Sequence, residues 1–167
     1  MADPRPSQAP LTQLVQANSA TRALNILGDR WTLMILYLAF QRVRRFDEFQ
    51  GRIGLARSLL IDRLRRLCAA GIFEKVRYQE RPARDEYRLT DKGRDFYPVM
   101  VTLSQWGQRW MGDPERPPVT LVHKGCGRPM APALVCPECG EAVGPGDSTM
   151  RIDPAYAAER AGRAAAP

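Results

Sequence analysis

The only histidine and three of the four cysteines fall close together, as His123-Lys-Gly-Cys126-Gly and Cys136-Pro-Glu-Cys139-Gly. The pattern is H-x2-C-x9-C-x2-C. Imidazole nitrogen and thiolate sulfur are the donors that tetrahedral Zn2+ prefers, and four of them fill its shell. A glycine follows the second donor of each half, Gly127 and Gly140. Without a Cβ there, backbone N–H groups can close on the sulfur. The segment is short and poor in apolar residues, so it needs a metal or a docking surface to hold a shape. With four protein donors, such a Zn2+ would be structural rather than catalytic. Two other readings stay open: a Cys136–Cys139 redox pair, and a ribbon that carries no metal.

Outside this cluster the chain has little chemistry for catalysis. Its single histidine leaves no Ser/His/Asp or Cys/His arrangement to assemble. No glycine-rich phosphate loop follows a strand, so an enzyme is not expected. The charge is more informative. The chain has 25 Lys+Arg against 18 Asp+Glu, a net charge of +7. Residues 1–112 carry +8 and residues 113–167 carry −1, while the window 41–84 alone carries +7. An excess focused on one segment fits a polyanionic partner or, less specifically, a solvated basic face. The near-neutral ribbon is a poor candidate for that contact.

The elements that must position the basic window can be read from spacing. Asn18 and Ser19 offer caps to a helix over Ala20–Leu27, which Gly28 ends. Asp29 caps the next helix, whose run Trp31–Phe40 is apolar all round and predicts a buried central helix. FDEFQGR sets Phe46 and Phe49 on one face of a short helix, and Gly51 to Gly54 reads as a turn. In ARSLLIDRLRRLCAAG, Leu60, Leu64 and Leu67 keep the i, i+4, i+7 spacing of a core stripe. Ser58, Asp62 and Arg65 then project from the opposite face, with Ile61 beside them and Arg57 near its edge. Arg63 lies on the flank, suited to hold a carboxylate or a phosphate. Ile72–Tyr78 and Glu86–Leu89 predict a two-stranded hairpin with the exposed tip QERPAR. Thr90 caps a long helix from Asp91 to about Met111, which Pro98 should kink or break early. Phe96, Leu103, Trp106 and Trp110 keep helical spacing along it. No internal repeat is expected.

This order predicts a mainly α fold with a small β-hairpin wing: a winged helix-turn-helix domain followed by a small zinc-ribbon-like module. A hairpin alone is marginal in water, so it must lean on the helices. The basic helix fits the major groove of double-stranded DNA, where each base pair shows a distinct donor and acceptor pattern. Arg57, Ser58, Ile61 and Asp62 would reach base edges. Arg65, with Arg81 and Arg84 at the hairpin tip, would meet phosphates, which position a protein without reading sequence. Arg44 and Arg45 stand at a helix N-terminus, which also favours phosphate.

Over Asn18–Gly112 the sequence resembles the HxlR-type regulators, relatives of the MarR group. The residues that carry the resemblance are ALNILGDRWTLMIL at Ala23–Leu36, RRFDEF at Arg44–Phe49, LLIDRLRRLCAAGIF at Leu59–Phe73 and EYRLTDKGRDFYPV at Glu86–Val99, followed by Trp106-Gly107. The resemblance implies a homodimer on promoter DNA, with the terminal helices, here Phe96, Leu103, Trp106 and Trp110, forming the dimer contact. By the same analogy a small-molecule effector would sit in a pocket lined by Trp31, Phe96 and Trp106. Many members carry a cysteine just before the first helix. Asn18 stands there in this chain, so a thiol switch is not implied at that site. Cys68 reads as a small, mostly buried filler.

The organisation that follows is a flexible arm at 1–17, the DNA-binding and dimerisation domain at 18–112, a linker at 113–118, the ribbon at 119–149 and a flexible tail at 150–167. No run of about 18 apolar residues could cross a membrane. The start MADPRPSQAP lacks the apolar core of a secretory signal, so a cytoplasmic location is expected. The competing reading of the whole is a zinc-dependent protein-interaction module, or a redox or metal sensor, with an incidental basic surface.

Overall fold

The computed structural model describes residues 18–113, 116–149, 151, 152, 154, 157 and 158. The arm expected at 1–17 and most of the tail expected at 150–167 lie outside them. The chain divides into two compact units, one of residues 24–132 and one of residues 1–23 with 133–167. The element order is α1 (Ser19–Leu27), α2 (Arg30–Phe40), α3 (Phe46–Ile53), α4 (Arg57–Ala69), β1 (Phe73–Gln79), β2 (Arg84–Leu89), α5 (Asp91–Arg94) and α6 (Tyr97–Met111).

Capping chemistry sets the helix starts. The Asn18 side chain accepts the Ala20 N–H at 2.8 Å. Asp29 accepts the N–H groups of Trp31 and Thr32, both at 3.1 Å, and also the Thr32 hydroxyl. Partial burial pushes the Asp29 carboxyl up, but the Thr32 hydroxyl and N–H, the Arg63 guanidinium and the Trp31 N–H outweigh it and hold it below the usual aspartate range. Asp29→Ala is therefore expected to cost about 1–2 kcal/mol in urea unfolding at neutral pH. Because folding favours the carboxylate, that contribution is complete above the ordinary aspartate pKa and fades as the pH falls below about 4. Parent and variant should converge in acid. A gap that stays constant down to pH 2 would remove the carboxylate from the account.

The core of the first unit is built from one face of each helix. Leu60, Leu64 and Leu67 of α4 are buried, as their spacing requires, against Ile35 and Leu36 of α2, Phe49 of α3, and Ile72 and Phe73 at the start of the hairpin. The Phe49 and Phe73 rings lie 6.4 Å apart, and Phe73 meets Tyr87 edge-on at the same distance. Two expectations are corrected. Helix α2 is not buried all round, because Met34 is 45% exposed while Thr32, Ile35, Leu36, Leu38 and Ala39 are buried. Apolar composition alone could not show that only part of its circumference is covered. Gly51 does not begin a turn either. Helix α3 runs through it to Ile53 and stops at Gly54, whose φ of 68° is the left-handed position that glycine tolerates.

The hairpin pairs Phe73 with Leu89 through Arg77 with Asp85, and one extra residue, Tyr78, bulges before Gln79 meets Arg84. A third short segment joins its edge: Tyr87 donates its N–H to the Arg44 carbonyl at 2.8 Å, and Arg45 bridges to Glu86. The expected long helix is interrupted. Thr90 caps α5 by accepting the Gly93 N–H, and α6 starts afresh at Tyr97 with Pro98 in its first turn. Proline is tolerated there because its missing N–H would have had no helical partner.

Residues 121–143 contain a repeated turn. In the first copy Val122 bridges to Pro129, His123 donates its N–H to Arg128, Gly127 donates to His123, and Met130 donates to Leu121. In the second copy Val135 bridges to Ala142, Cys136 donates to Glu141, Gly140 donates to Cys136, and Val143 donates to Leu134. Each partner lies 13 positions after its counterpart. Gly127 and Gly140 both take a left-handed φ, 68° and 76°. The expectation of no repeat is thus corrected. The copies share only the Leu-Val pair that opens each turn and the Cys-Gly pair that closes it, too little to show as a sequence repeat.

Candidate nucleic-acid interface

Helix α4 buries Leu60, Leu64 and Leu67 and presents Arg57, Ser58, Ile61 and Arg65 as exposed side chains. The guanidinium of Arg57 stacks over the Phe46 ring of α3, 4.6 Å from its centroid. A planar cation on an aromatic face is held in orientation while its N–H edge stays open. Among the described residues, the Arg65, Arg81 and Arg84 side chains form no ion pair with a carboxylate.

Asp62 sits differently from the other candidates. It accepts Arg63 and Arg66, both at 3.0 Å. Arg63 in turn reaches Asp29 at 3.3 Å. Of the two roles open to Arg63, the structure shows the carboxylate one. It braces the start of α2 against α4.

Arg44 and Arg45 stand at the entrance to α3, but their backbone N–H groups already donate to Glu48, at 3.3 and 3.2 Å. The N–H groups of Arg45 and then Arg44 hold the Glu48 carboxyl below the usual glutamate range. Any phosphate contact here must come from the side chains. Arg45 lies over the Tyr78 ring at 4.6 Å, and Arg44 lies 3.8 Å from the buried Glu86. The bulge at Tyr78 brings that ring out of the ladder, a common use of an extra strand residue. Phe46 and Tyr78 are supporting residues that sequence reading missed. Each lies far along the chain from the arginine it carries, and no local spacing marks the pair. The wing is pinned below its tip, where Arg77 and Lys75 both reach Asp85, at 2.6 and 3.4 Å.

On α6, Val99, Leu103, Trp106 and Trp110 form an exposed apolar stripe; the two tryptophans are 52% and 66% exposed. Phe96 packs against the core, so the stripe begins at Val99. A cavity of about 640 Å3 lies inside the first unit between α2, α6 and residues 117–132. Its walls include Tyr37, Phe40, Tyr97, Met100, Leu121 and Met130. Trp31, Phe96 and Trp106 do not line this cavity. The segment that closes the cavity is tied to α6 by Gln108, whose amide donates to the Val119 carbonyl at 2.7 Å.

The cysteine cluster appears as two pairs. In the first unit His123 Nδ1 lies 3.4 Å from Cys126 Sγ. Gly125 lies against that ring: a Cβ there would fall 2.9 Å from His123 Cε1. In the second unit the N–H of Cys139, then that of Glu138, and the Cys139 thiol hydrogen-bond the Cys136 sulfur and hold its thiol below the usual range. Among the described residues of either unit, no three His, Cys, Asp or Glu side chains gather around one point. Cys68 is half-buried, and burial pushes its thiol up, as for an inert packing residue.

A helical core, an exposed basic helix and a hairpin wing flanked by unpaired arginines define a winged helix-turn-helix DNA-binding protein. Residues 26–115 match the HxlR-like helix-turn-helix family, and the chain belongs to that family. An uncharacterized HTH-type transcriptional regulator of Mycobacterium tuberculosis strain H37Rv is 41% identical over 151 residues, covering 90% of this chain and 96% of that protein. The crystal structure of PA1607, a candidate transcription factor, superposes with a TM-score of 0.74 at 34% identity, covering 82% of this chain and 96% of that one. A second candidate transcription factor, from Pseudomonas aeruginosa, gives 0.59 at 34% identity, covering 80% and 91%. Residues 116–167 make up nearly a third of this chain. The mycobacterial match therefore runs beyond the family model into the segment behind the wing. The protein is a DNA-binding transcriptional regulator. Among the described residues, no helix is long and apolar enough to cross a membrane.

Proposed function

We propose that the protein is a homodimeric, sequence-specific regulator that binds a roughly palindromic promoter operator. The observation that carries this reading is the exposed face of α4, where Arg57 is oriented by Phe46 beside Ser58 and Ile61. Arg57, Ser58 and Ile61 read base edges in the major groove. Arg44, Arg45, Arg65, Arg81 and Arg84 hold phosphates. Asp62 acts mainly as the brace for Arg63 and Arg66, and any base contact it makes would be to a cytosine amino group. The exposed α6 stripe supports the dimer, and two-fold symmetry then requires two half-sites related by the same axis. The cavity between α2 and α6 supports an apolar small-molecule effector.

Selection of bound sequences from random duplex DNA tests the reading. An enriched inverted repeat is the expected result, and recovery of no sequence after several rounds overturns it. On the selected duplex, Arg57→Ala should lower affinity about 10- to 100-fold and relax preference at one position in each half-site. The double change Arg81→Ala/Arg84→Ala should weaken all duplexes alike and reduce the salt slope by about 2 per chain.

A further inference from the structure

We propose that Ile61 reads the 5-methyl group of a thymine in each half-site, one or two base pairs from the base held by Arg57. The inference rests on the sequence-specific reading of α4 and adds the identity of one base to it. Exposure alone says little, since apolar side chains are common on protein surfaces. The place of Ile61 on the helix says more. It is 39% exposed, in the row that Arg57, Ile61 and Arg65 form at intervals of four, and the two arginines are exposed as well. Residues four apart share a helix face. An uncharged, branched hydrocarbon thus stands between two guanidiniums on the helix that a winged fold sets in the groove. Leu59 is also exposed, at 48%. Two residues before Ile61, it lies about 200° round the helix and cannot share its contact.

The side chain decides which base fits. Isoleucine neither donates nor accepts a hydrogen bond. Against guanine O6 and N7, or against the amino group of cytosine or adenine, it would displace water and put nothing in its place. Thymine alone offers an apolar group, its 5-methyl, on the major-groove edge. Branching at Cβ adds precision. In a helix the first torsion of isoleucine is held almost entirely in one well. Its methyl groups are therefore placed before the duplex arrives, and little freedom is lost on contact. Arg57 is fixed in a comparable way by the Phe46 ring, 4.6 Å from its guanidinium. The arginine fork favours guanine O6 and N7. Side chains four residues apart stand about 6 Å from each other, and base pairs stack at about 3.4 Å. The two contacts then fall one or two base pairs apart, as a guanine and a thymine on the same or opposite strands.

The test uses the full-length chain and an operator selected from random duplexes. Each thymine of a half-site is replaced in turn, in both copies, by deoxyuridine, which differs only in lacking the methyl group. One such replacement, within two base pairs of the position that Arg57→Ala relaxes, should weaken binding. Loss of about three- to fivefold for each methyl contact becomes about 10- to 25-fold when both half-sites are changed. Ile61→Ala should bind the thymine operator less tightly and should bind the thymine and deoxyuridine duplexes alike. Ile61→Val, which keeps the branch at Cβ, should retain part of the difference, and Leu59→Ala should keep all of it. Should Ile61→Ala fail to fold, Ile61→Val and the deoxyuridine scan of the parent chain still decide the matter. Four results would each overturn the assignment and leave the sequence-specific reading intact. They are a scan in which no deoxyuridine matters, a sensitive thymine more than two base pairs from the Arg57 position, a methyl effect that survives in Ile61→Ala, and one that vanishes in Leu59→Ala. Selection that enriches no sequence overturns that reading itself, and the assignment with it.

Discussion

A Leu103→Glu chain is expected to elute as a monomer, to keep the helical spectrum of the parent and to bind the operator about 10²–10⁴-fold more weakly. Leu103 lies in the middle of the stripe formed by Val99, Leu103, Trp106 and Trp110 on α6. These residues follow one another at intervals of four, three and four, so they share one face of the helix. Since all four are exposed, Leu103 itself at 44%, a carboxylate there should cost the single chain little. Burying the same carboxylate against a second apolar stripe without a partner is costly, by several kcal/mol. Loss of the pair removes the second half-site, and the gain from holding two sites on one scaffold goes with it. Light scattering on the eluted peak and a binding titration measure the two effects. A variant that stays dimeric would move the dimer contact away from α6.

Gly93→Ala and Gly51→Ala should shift stability in opposite directions, although both replace a glycine within a helix. An alanine in a helix ordinarily gains about 1 kcal/mol over glycine. At Gly51 nothing lies within 4 Å of the added methyl. That variant should show the full gain. At Gly93 the methyl would fall 2.3 Å from the Ile72 carbonyl oxygen and 2.9 Å from Leu89 Cδ2. The oxygen is fixed, because it accepts the Thr90 N–H at 3.0 Å and lies 3.2 Å from the Thr90 hydroxyl. Helix α5 would have to move off the root of the hairpin. A loss of about 2–3 kcal/mol is expected from such overpacking, well above the propensity gain. Urea unfolding gives both values. The same shift should tilt the wing and weaken binding to every duplex, whereas Gly51→Ala should leave binding unchanged. An unchanged midpoint for Gly93→Ala would show that the hairpin root yields easily.

Much of this architecture is legible in the sequence because it rests on local chemistry. The leucines at 60, 64 and 67 mark their helix face by spacing alone, and Asp29 caps the helix it precedes. Pro98 marks the break between α5 and α6. Where side chains from distant segments meet, the sequence is silent. Phe46 beneath Arg57 and Tyr78 beneath Arg45 depend on how α3, α4 and the wing converge. The cavity wall depends on where residues 117–132 return to α6, so Trp31, Phe96 and Trp106 could not be excluded from it by spacing. The Asp62–Arg66 pair was readable, since a carboxylate four residues before an arginine on a helix is a standard partner. The extension of that network through Arg63 to Asp29 was not. The turn pair was half visible: its x2 spacing and Cys-Gly endings show in the sequence, whereas the matching backbone hydrogen bonds that define its copies do not.

The brace at Asp62 also bears on how the protein finds its site. Helix α4 carries four arginines, Arg57, Arg63, Arg65 and Arg66, and the carboxylate of Asp62 holds two of them, Arg63 and Arg66. Affinity for ordinary duplex grows with each phosphate neutralised, whatever the sequence. A reading helix that set all four cations on phosphates would linger at every stop along a genome. With a negative group placed among its cations, this helix is expected to leave unmatched duplex sooner. On the proposed reading a quicker search is the expected consequence, with dwell time kept for duplexes that match the exposed face of Arg57, Ser58 and Ile61.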